Sequence, residues 1–333
     1  MPKKERISRE NYLEVKRYLD YQERVKQCEP VTLKRKWAHL RHFLEWAGAT
    51  RFYKAPSLKL TFQNYILDAR NDAISKPLSS STMNRACHEV QEFYKWAKMY
   101  LSNDYRGISE KWIDTIRLSK TKMNLQGLED RKYYTLDEVQ SICSYQPQIL
   151  IDMRDRAAVA MLYLSAMRIT AFVSLPIRCV DIQDMTIYQF PSEGVMTKNS
   201  KTSITTLLPI DPLLEVVTGW DSLVRKELGD NALWYPKMST DGLTWGNTDG
   251  DTEASRKSFR RGLRKLCNLT GIEYKSSHKL RKGHGVYGLN HSDNYQEFQA
   301  YSQNMGHEDP GTTYKYYSKL SNDDVRDVIL RKK

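Results

Sequence analysis

The C-terminal sixty residues of this 333-residue chain concentrate side chains that can do chemistry. Four of the seven histidines lie there, around the segments HKLR and MGHEDPGTTYKYY: His278, His284, His291 and His307. Clustered histidines often bind metals, but no carboxylate or cysteine stands at a ligand spacing such as HExxH. The five cysteines form no CxxC pair, so neither a cysteine zinc site nor a disulfide framework is indicated. We therefore expect no metal site, and we assign His42, His88 and His284 to ordinary packing or surface roles.

Two further residues that could take part in the chemistry come before the C-terminal sixty residues. Arg168 follows an apolar stretch in YLSAMRITAFVSL, and Lys201 lies on a predicted hairpin in NSKTSITTLLP. In chain order the set is Arg168, Lys201, His278, Arg281, His307 and Tyr316. This order resembles the tyrosine recombinase (integrase) family, whose catalytic domain carries Arg, Lys, His-x-x-Arg, His or Trp, and a nucleophilic Tyr. The resemblance covers roughly residues 134 to 320.

The resemblance implies transfer of a DNA phosphoryl group to an enzyme side chain. Two guanidiniums, Arg168 and Arg281, would hold the non-bridging oxygens by bidentate hydrogen bonds and offset the charge of a pentavalent transition state. His278 and His307 would donate hydrogen bonds to the same oxygens. His278 could also accept the proton of the attacking tyrosine.

Lys201 and Tyr316 complete the implied reaction. Lys201 would protonate the departing 5′ oxygen, and Tyr316 would form a 3′ phosphotyrosyl link that conserves the bond energy. Cleavage and rejoining then need neither ATP nor a metal, so we expect no cofactor, in keeping with the missing Walker sequence. Each residue has an alternative nearby: Lys198 shares the turn, and Tyr314 and Tyr317 crowd the same helical turn. The family interval from His307 favours Tyr316, with Tyr317 as the next candidate. Lys201 is preferred because it stands eight residues before Pro209, which ends the predicted strand.

Three features depart from the family pattern. Ala171 stands where an acidic residue is usual, which removes a support for the arginine pair. The segment KGHGVYGLNHSD is richer in glycine than the usual continuous helix, and the Gly/Asp/Thr-rich excursion over 229–253 is long. We interpret the chain as a divergent branch.

The composition predicts a globular chain with a polyanionic partner. Apolar residues make up 40% and charged residues 28% of the sequence. The longest apolar run, AAVAMLYLSAM, is too short to cross a bilayer and no signal-like segment precedes it, so we expect a cytoplasmic protein with no membrane partner. The net charge is +12, of which +9 falls on residues 1–130. This excess favours a nucleic-acid partner.

Residues 1–118 predict a helical domain that resembles the core-binding (SAM-like) domain of the family. Apolar residues recur at spacings of three and four from Leu33 to Ala47 and from Met83 to Ala97, with Thr32 as an N-cap. Flanking helices are predicted near 8–27 and 61–72. One helix face is basic: Lys34, Arg35, Lys36, Arg41 and His42. That face is either a solvated surface or a DNA-facing one.

Residues 119–133 predict a linker and residues 134–333 a catalytic domain with a C-terminal helix. Thr135 and Glu138 form a capping box that opens this domain. Further predicted elements are an apolar helix at 152–166, a small antiparallel sheet within 185–210, and helices near 254–269, 277–290, 294–304 and 321–331. The predicted fold class is mainly α with a small antiparallel β-sheet (α+β). The last helix either docks on a neighbouring protomer or caps its own domain.

The sequence thus predicts a site-specific DNA recombinase or integrase that works through a 3′-phosphotyrosyl intermediate and a Holliday junction. The resemblance implies double-stranded DNA as partner and a homotetramer on synapsed sites, with a monomer or dimer when free. Only about seven residues precede the first predicted helix, so we expect no separate arm-binding domain. Two alternatives stay open: a type IB topoisomerase-like or telomere-resolving enzyme, and a non-catalytic DNA-binding accessory protein.

Overall fold

A computed structural model describes residues 7–70, 77–119, 133–246 and 251–307, together with Gly311 and Leu330. The chain separates into two compact units, residues 1–131 and 132–333. The predicted helix at 321–331 apart from Leu330, the predicted linker 119–133 apart from its two end residues, and the candidate nucleophiles Tyr314, Tyr316 and Tyr317 lie outside the described residues. No helix in the described ranges is long and apolar enough to span a membrane.

The first unit is helical. Its elements are α1 (Arg9–Arg24), α2 (Pro30–Ala47), α3 (Phe62–Asn64), α4 (Ser80–Tyr100), α5 (Ser102–Tyr105) and α6 (Glu110–Thr115), with a 3-10 turn at Phe52–Ser57. An aromatic core joins them, in which the rings of Phe43 and Phe52 stack with centroids 4.0 Å apart. The apolar stripe predicted on α4, from Met83 to Ala97, is buried as expected.

Three local predictions for this unit are wrong. Helix α2 begins before Thr32, because Pro30, which has no N–H to leave unpaired, occupies its first turn. The helix predicted over 61–72 is instead the short α3 followed by a π-helical turn at Tyr65–Ala69. The basic face of α2 is also narrower than predicted, since Lys36 pairs with the buried Glu89 at 2.8 Å and His42 is buried.

The second unit combines helices with a small sheet, so the predicted fold class is confirmed. The helices are α7 (Leu136–Ser144), α8 (Leu150–Ser165), α9 (Ile169–Val173), α10 (Asp211–Leu228), α11 (Thr252–Thr270), α12 (His278–Asn290) and α13 (Tyr295–Asn304). The predicted capping box is present: the Thr135 hydroxyl accepts from the Glu138 N–H and the Glu138 carboxylate accepts from the Thr135 N–H.

Helix α8 forms the centre of the second unit. Its residues from Ala157 to Ser165 are all buried, as expected of a helix that is apolar on every side. Helices α7, α10, α11 and α12 pack around it. Since α8 is enclosed, its C-terminal end provides a rigid base for the residues that follow.

The segment after α10, predicted as an excursion, contributes to this core. Trp234 and Tyr235 are buried, and the Trp234 indole donates to the Asp221 carboxylate at 3.0 Å. The Tyr235 hydroxyl donates to Asp155 at 2.6 Å, and Arg154 pairs with the same carboxylate. Burial raises the pKa of Asp155, although the neighbouring Arg154 opposes this rise.

The sheet has three antiparallel strands in the order β1 (Val180–Asp181), β2 (Thr186–Gln189) and β3 (Ser203–Thr206). Strands β2 and β3 pair along their whole length, from Thr186 opposite Thr206 to Gln189 opposite Ser203. The β2–β3 connection carries 3-10 turns at Pro191–Glu193 and Lys198–Ser200. This connection carries both lysine candidates.

Helix α12 is continuous despite its glycines, which permit close packing. A Cβ on Gly283 would lie 2.0 Å from the Tyr134 carbonyl oxygen, and one on Gly288 would lie 2.6 Å from the Tyr301 ring. The high glycine content of this segment, a departure from the family pattern, therefore allows Tyr134 and Tyr301 to approach the α12 backbone closely.

Candidate active site

The turn after α8 presents Arg168. Ala166 adopts the left-handed conformation with φ 51°, a strained choice for a residue other than glycine. The Ser165 hydroxyl donates to the Met161 carbonyl and accepts from the Met167 N–H, which stabilises the turn. Arg168 follows as the N-cap of α9, with its side chain exposed. The turn at Ala166 therefore places the Arg168 guanidinium close in sequence to the C-terminal end of the buried helix α8.

Arg281, in the first turn of α12, is buried and crosses between two segments. Its Nη1 donates to the carbonyl of Ala166, and its Nη2 donates to the carbonyl of Met305 at 2.5 Å. Nη2 also lies 3.1 Å from Nε2 of His307. These three partners are neutral groups that orient the guanidinium.

His307 follows α13 and the glycine at position 306, and it is half-buried. Burial and the positive charges of Arg281 and Arg168, with a smaller contribution from His278, together lower its pKa to about 4. At neutral pH the ring is therefore uncharged, as an acceptor at Nε2 requires.

His278 opens α12, one turn before Arg281, and part of its side chain is exposed. Desolvation by the surrounding protein lowers its pKa, and the charges of Arg281, Lys279 and Arg168 act in the same direction. A neutral imidazole at this position can accept a proton.

The lysines lie at the end of the β2–β3 connection. Lys198 opens the 3-10 turn and Lys201 follows it, and both side chains are exposed. Between them Asn199 and Ser200 have φ of 58° and 51°. These two left-handed residues turn the chain sharply, and Lys201 follows them two residues before the start of β3.

A cleft of about 660 Å³ brings these groups together. Four of the six predicted site residues line it: Arg168, Lys201, Arg281 and His307. Lys198 also lines the cleft, so the geometry leaves the choice between the two lysines open. His278 does not line the cleft, but it lies close enough to His307 to contribute to the lowering of its pKa. Tyr316 lies outside the described residues. In the described ranges, no group of three or more His, Cys, Asp or Glu residues could hold a metal ion.

The sequence from residue 132 to 323 matches the model of the phage integrase family. The chain belongs to this family, that of the tyrosine recombinases. The enzyme class predicted from the sequence, a tyrosine-type site-specific DNA recombinase, is thereby confirmed.

Two solved structures resemble the recombinase in fold. The integrase of transposon Tn1549, in complex with transposon right end DNA, is 15% identical with a TM-score of 0.65, over 95% of this chain and 98% of that one. A lambda integrase dimer bound to a COC′ core site is 14% identical with a TM-score of 0.59, over 92% and 94% of the two chains.

Sequence reasoning missed the groups that hold Arg281 in this recombinase. The carbonyls of Ala166 and Met305 position the guanidinium. Every residue type has a backbone carbonyl, so the sequence does not indicate which carbonyls accept these hydrogen bonds. Ala171, predicted to weaken the arginine pair, is buried and lines the cleft. The polar cleft residues Gln189, Ser203 and Gln303 were also missed, because they come from three separate elements.

Proposed function

We propose that the recombinase cleaves and rejoins duplex DNA at specific sites through a 3′-phosphotyrosyl intermediate and a Holliday junction. The observation that carries this proposal is the cleft in which Arg168, Arg281, His307 and the lysine turn converge. Two guanidiniums, an imidazole and an ammonium around one space suit a phosphodiester and the charge that grows on it during displacement.

The arginines bind the scissile phosphate. Arg281 is already fixed by two carbonyls, so its orientation costs little further ordering when DNA binds. Arg168 is exposed and can approach a second non-bridging oxygen. Planar, bidentate donors match phosphate geometry in a way that a lysine ammonium does not.

The histidines act as neutral groups. His307 carries its proton on Nδ1 when Nε2 accepts from Arg281, and this N–H donates to a phosphoryl oxygen in our proposal. His278, with its lowered pKa, is unprotonated at neutral pH and accepts the proton of the nucleophile.

Tyr316 attacks phosphorus while Lys201 protonates the departing 5′ oxygen. The phosphotyrosyl bond preserves the energy of the broken ester, so the 5′ hydroxyl of another strand can reverse the step without ATP. Lys198 and Tyr317 are the alternatives for these two roles. The proposed reaction needs no metal or other cofactor.

Double-stranded DNA is the proposed partner. Besides Lys265, which pairs with Asp152, helix α11 exposes four cations, Lys257, Arg260, Arg261 and Arg264, and residues 1–130 carry a net charge of +9. Such groups bind the phosphate backbone without reading sequence. Both resembling integrases were solved with DNA, one of them as a dimer. We propose the first unit as a core-binding domain and a homotetramer as the assembly on two synapsed sites.

A suicide substrate tests the proposal. A duplex located by footprinting in the flanks of the gene is nicked near the cleavage position and incubated in EDTA. The proposal predicts a covalent protein–DNA adduct, together with resolution of Holliday junctions and recombination between two sites. Relaxation of supercoils without two-site recombination would instead favour the topoisomerase-like alternative. Binding with neither an adduct nor junction resolution would favour the non-catalytic accessory protein.

A further inference from the structure

Asn304, the last residue of α13, is bonded to the outer side of strand β3. Its Oδ1 accepts from the Thr206 N–H at 2.7 Å, and its Nδ2 donates to the Thr206 carbonyl at 2.8 Å. Among the described strands β3 is at the edge of the sheet, with β2 on its other side. The carboxamide of Asn304 therefore takes the place of a neighbouring strand at Thr206.

Other contacts extend this joint, the hydrogen-bonded pair of Asn304 and Thr206, along β3. Thr205 is fully buried; its hydroxyl accepts from the Gln189 side chain at 2.6 Å and lies 3.5 Å from the Asn304 carbonyl oxygen. Gly306 lies close to the first residue of β3, since a Cβ there would be 4.0 Å from the Ser203 hydroxyl. The segment from Asn304 to Gly306 thus follows β3 from Thr206 to Ser203.

The joint connects two parts of the cleft. Strand β3 begins two residues after Lys201. On the other side, Asn304 is followed directly by Met305, whose carbonyl holds Arg281, and His307 comes two residues after Met305. One side chain therefore couples the proposed proton donor to the proposed phosphate-binding group.

The lysine turn lies directly before the anchored strand. Its residues Asn199 and Ser200 adopt left-handed conformations, which cost energy in residues other than glycine. The side chains of Lys198 and Lys201 are exposed, and β3 pairs with β2 over only four residues. Movement of β3 at Thr206 would therefore shift Lys201 relative to the phosphate.

We propose that Asn304 is a positioning residue that holds the Lys201 turn at the departing 5′ oxygen. The inference rests on the proposed function. In the step concerned, the Tyr316 oxygen bonds to phosphorus, the P–O5′ bond breaks with its electron pair going to the oxygen, and the Lys201 ammonium supplies the proton. Asn304 transfers no proton itself.

Two substrates test this role. One duplex carries the ordinary phosphodiester, and the other carries a 5′-bridging phosphorothiolate, whose sulfur leaves as a thiolate without needing a proton donor. For Asn304→Ala we expect cleavage of the ordinary duplex to fall about 10- to 100-fold, and cleavage of the phosphorothiolate to stay within about threefold of wild type. Lys201→Ala should show the same pattern. Gln296→Ala, which removes an exposed amide from α13, should leave both rates unchanged.

A loss of equal size on both substrates would overturn the inference, and so would an unchanged rate on the ordinary duplex. If Asn304→Ala does not fold, Asn304→Asp replaces it, since the carboxylate keeps the acceptor for the Thr206 N–H. The same selective loss is then expected, and unfolding of both variants would show a folding role instead. Failure of the wild type on both duplexes would refute the proposed function rather than the role of Asn304.

Discussion

Nη2 of Arg281 lies 3.1 Å from Nε2 of His307. A guanidinium only donates hydrogen bonds, so Nε2 must accept and the neutral imidazole must carry its proton on Nδ1. The lowered pKa of His307, about 4, agrees with this state. Two of the proposed phosphate-binding groups thus orient each other through a direct contact, an arrangement that reduces the reorganisation required during catalysis.

The first prediction concerns the pKa of His307. Arg281→Gln removes a nearby positive charge but keeps a hydrogen-bond donor, so we expect the pKa to rise by about one unit. NMR titration of the imidazole resonances measures it. Arg178→Gln, which removes a guanidinium paired with Glu193, serves as the control and should leave the value unchanged. An unchanged pKa in Arg281→Gln would show that the charge of Arg281 does not lower it.

The second prediction is that lysine does not replace Arg281. A lysine ammonium cannot reach the carbonyls of Ala166 and Met305 and also present a planar pair of donors to phosphate. We expect Arg281→Lys to slow single-turnover adduct formation at least about 100-fold while DNA affinity changes less than about threefold. Arg178→Lys is the matched control. Adduct formation by Arg281→Lys within threefold of wild type would contradict the proposed role.

The third prediction tests the close packing of α12. Gly283→Ala would place a methyl group 2.0 Å from the Tyr134 carbonyl oxygen, so the helix must move. We expect the free energy of unfolding to fall by about 1–3 kcal/mol. Gly219→Ala, in α10 with no atom within 4 Å of the added carbon, should leave stability equal or slightly higher. Urea unfolding of both variants measures the difference, and equal stabilities would be inconsistent with this packing.

The fourth prediction is a pH dependence set by His284. Its Nδ1 donates to the Tyr163 carbonyl at 2.8 Å, and burial lowers its pKa to about 4 from 6.5. Between these values the unfolded chain binds more protons, so stability is complete above about pH 6.5 and falls as the pH drops towards 4. From pH 7.5 to 5 the wild type should lose about 2 kcal/mol more than His284→Gln. His291→Gln, at an exposed position, should behave as wild type. Parallel pH profiles of wild type and His284→Gln would exclude this linkage.

The elements that the sequence predicted well have strong local signals. The apolar run of α8, the capping box at Thr135 and the His-x-x-Arg spacing on α12 each depend on neighbouring residues. The cleft was not predictable in the same way, because contacts between distant segments form it. The carbonyls that hold Arg281 and the bond between Asn304 and Thr206 cross 115, 24 and 98 positions of sequence, so no local pattern marks them.

The sequence also mispredicted the environment of residues whose partners lie far away along the chain. Lys36 has the spacing of a solvated basic residue, but Glu89 of another helix pairs with it. Trp234 lies in a segment rich in Gly, Asp and Thr, yet it is buried in the core. In each case the tertiary contact outweighs the local composition.

The central claim, strand cleavage by Tyr316, is tested most directly by mapping the covalent bond. The adduct trapped on the nicked duplex is digested with protease and nuclease, and the modified peptide is sequenced by mass spectrometry. We predict a phosphonucleotide on Tyr316, with no adduct in Tyr316→Phe and an adduct retained in Tyr317→Phe. Modification of Tyr317 or Tyr314, or an adduct that persists in Tyr316→Phe, would contradict the claim.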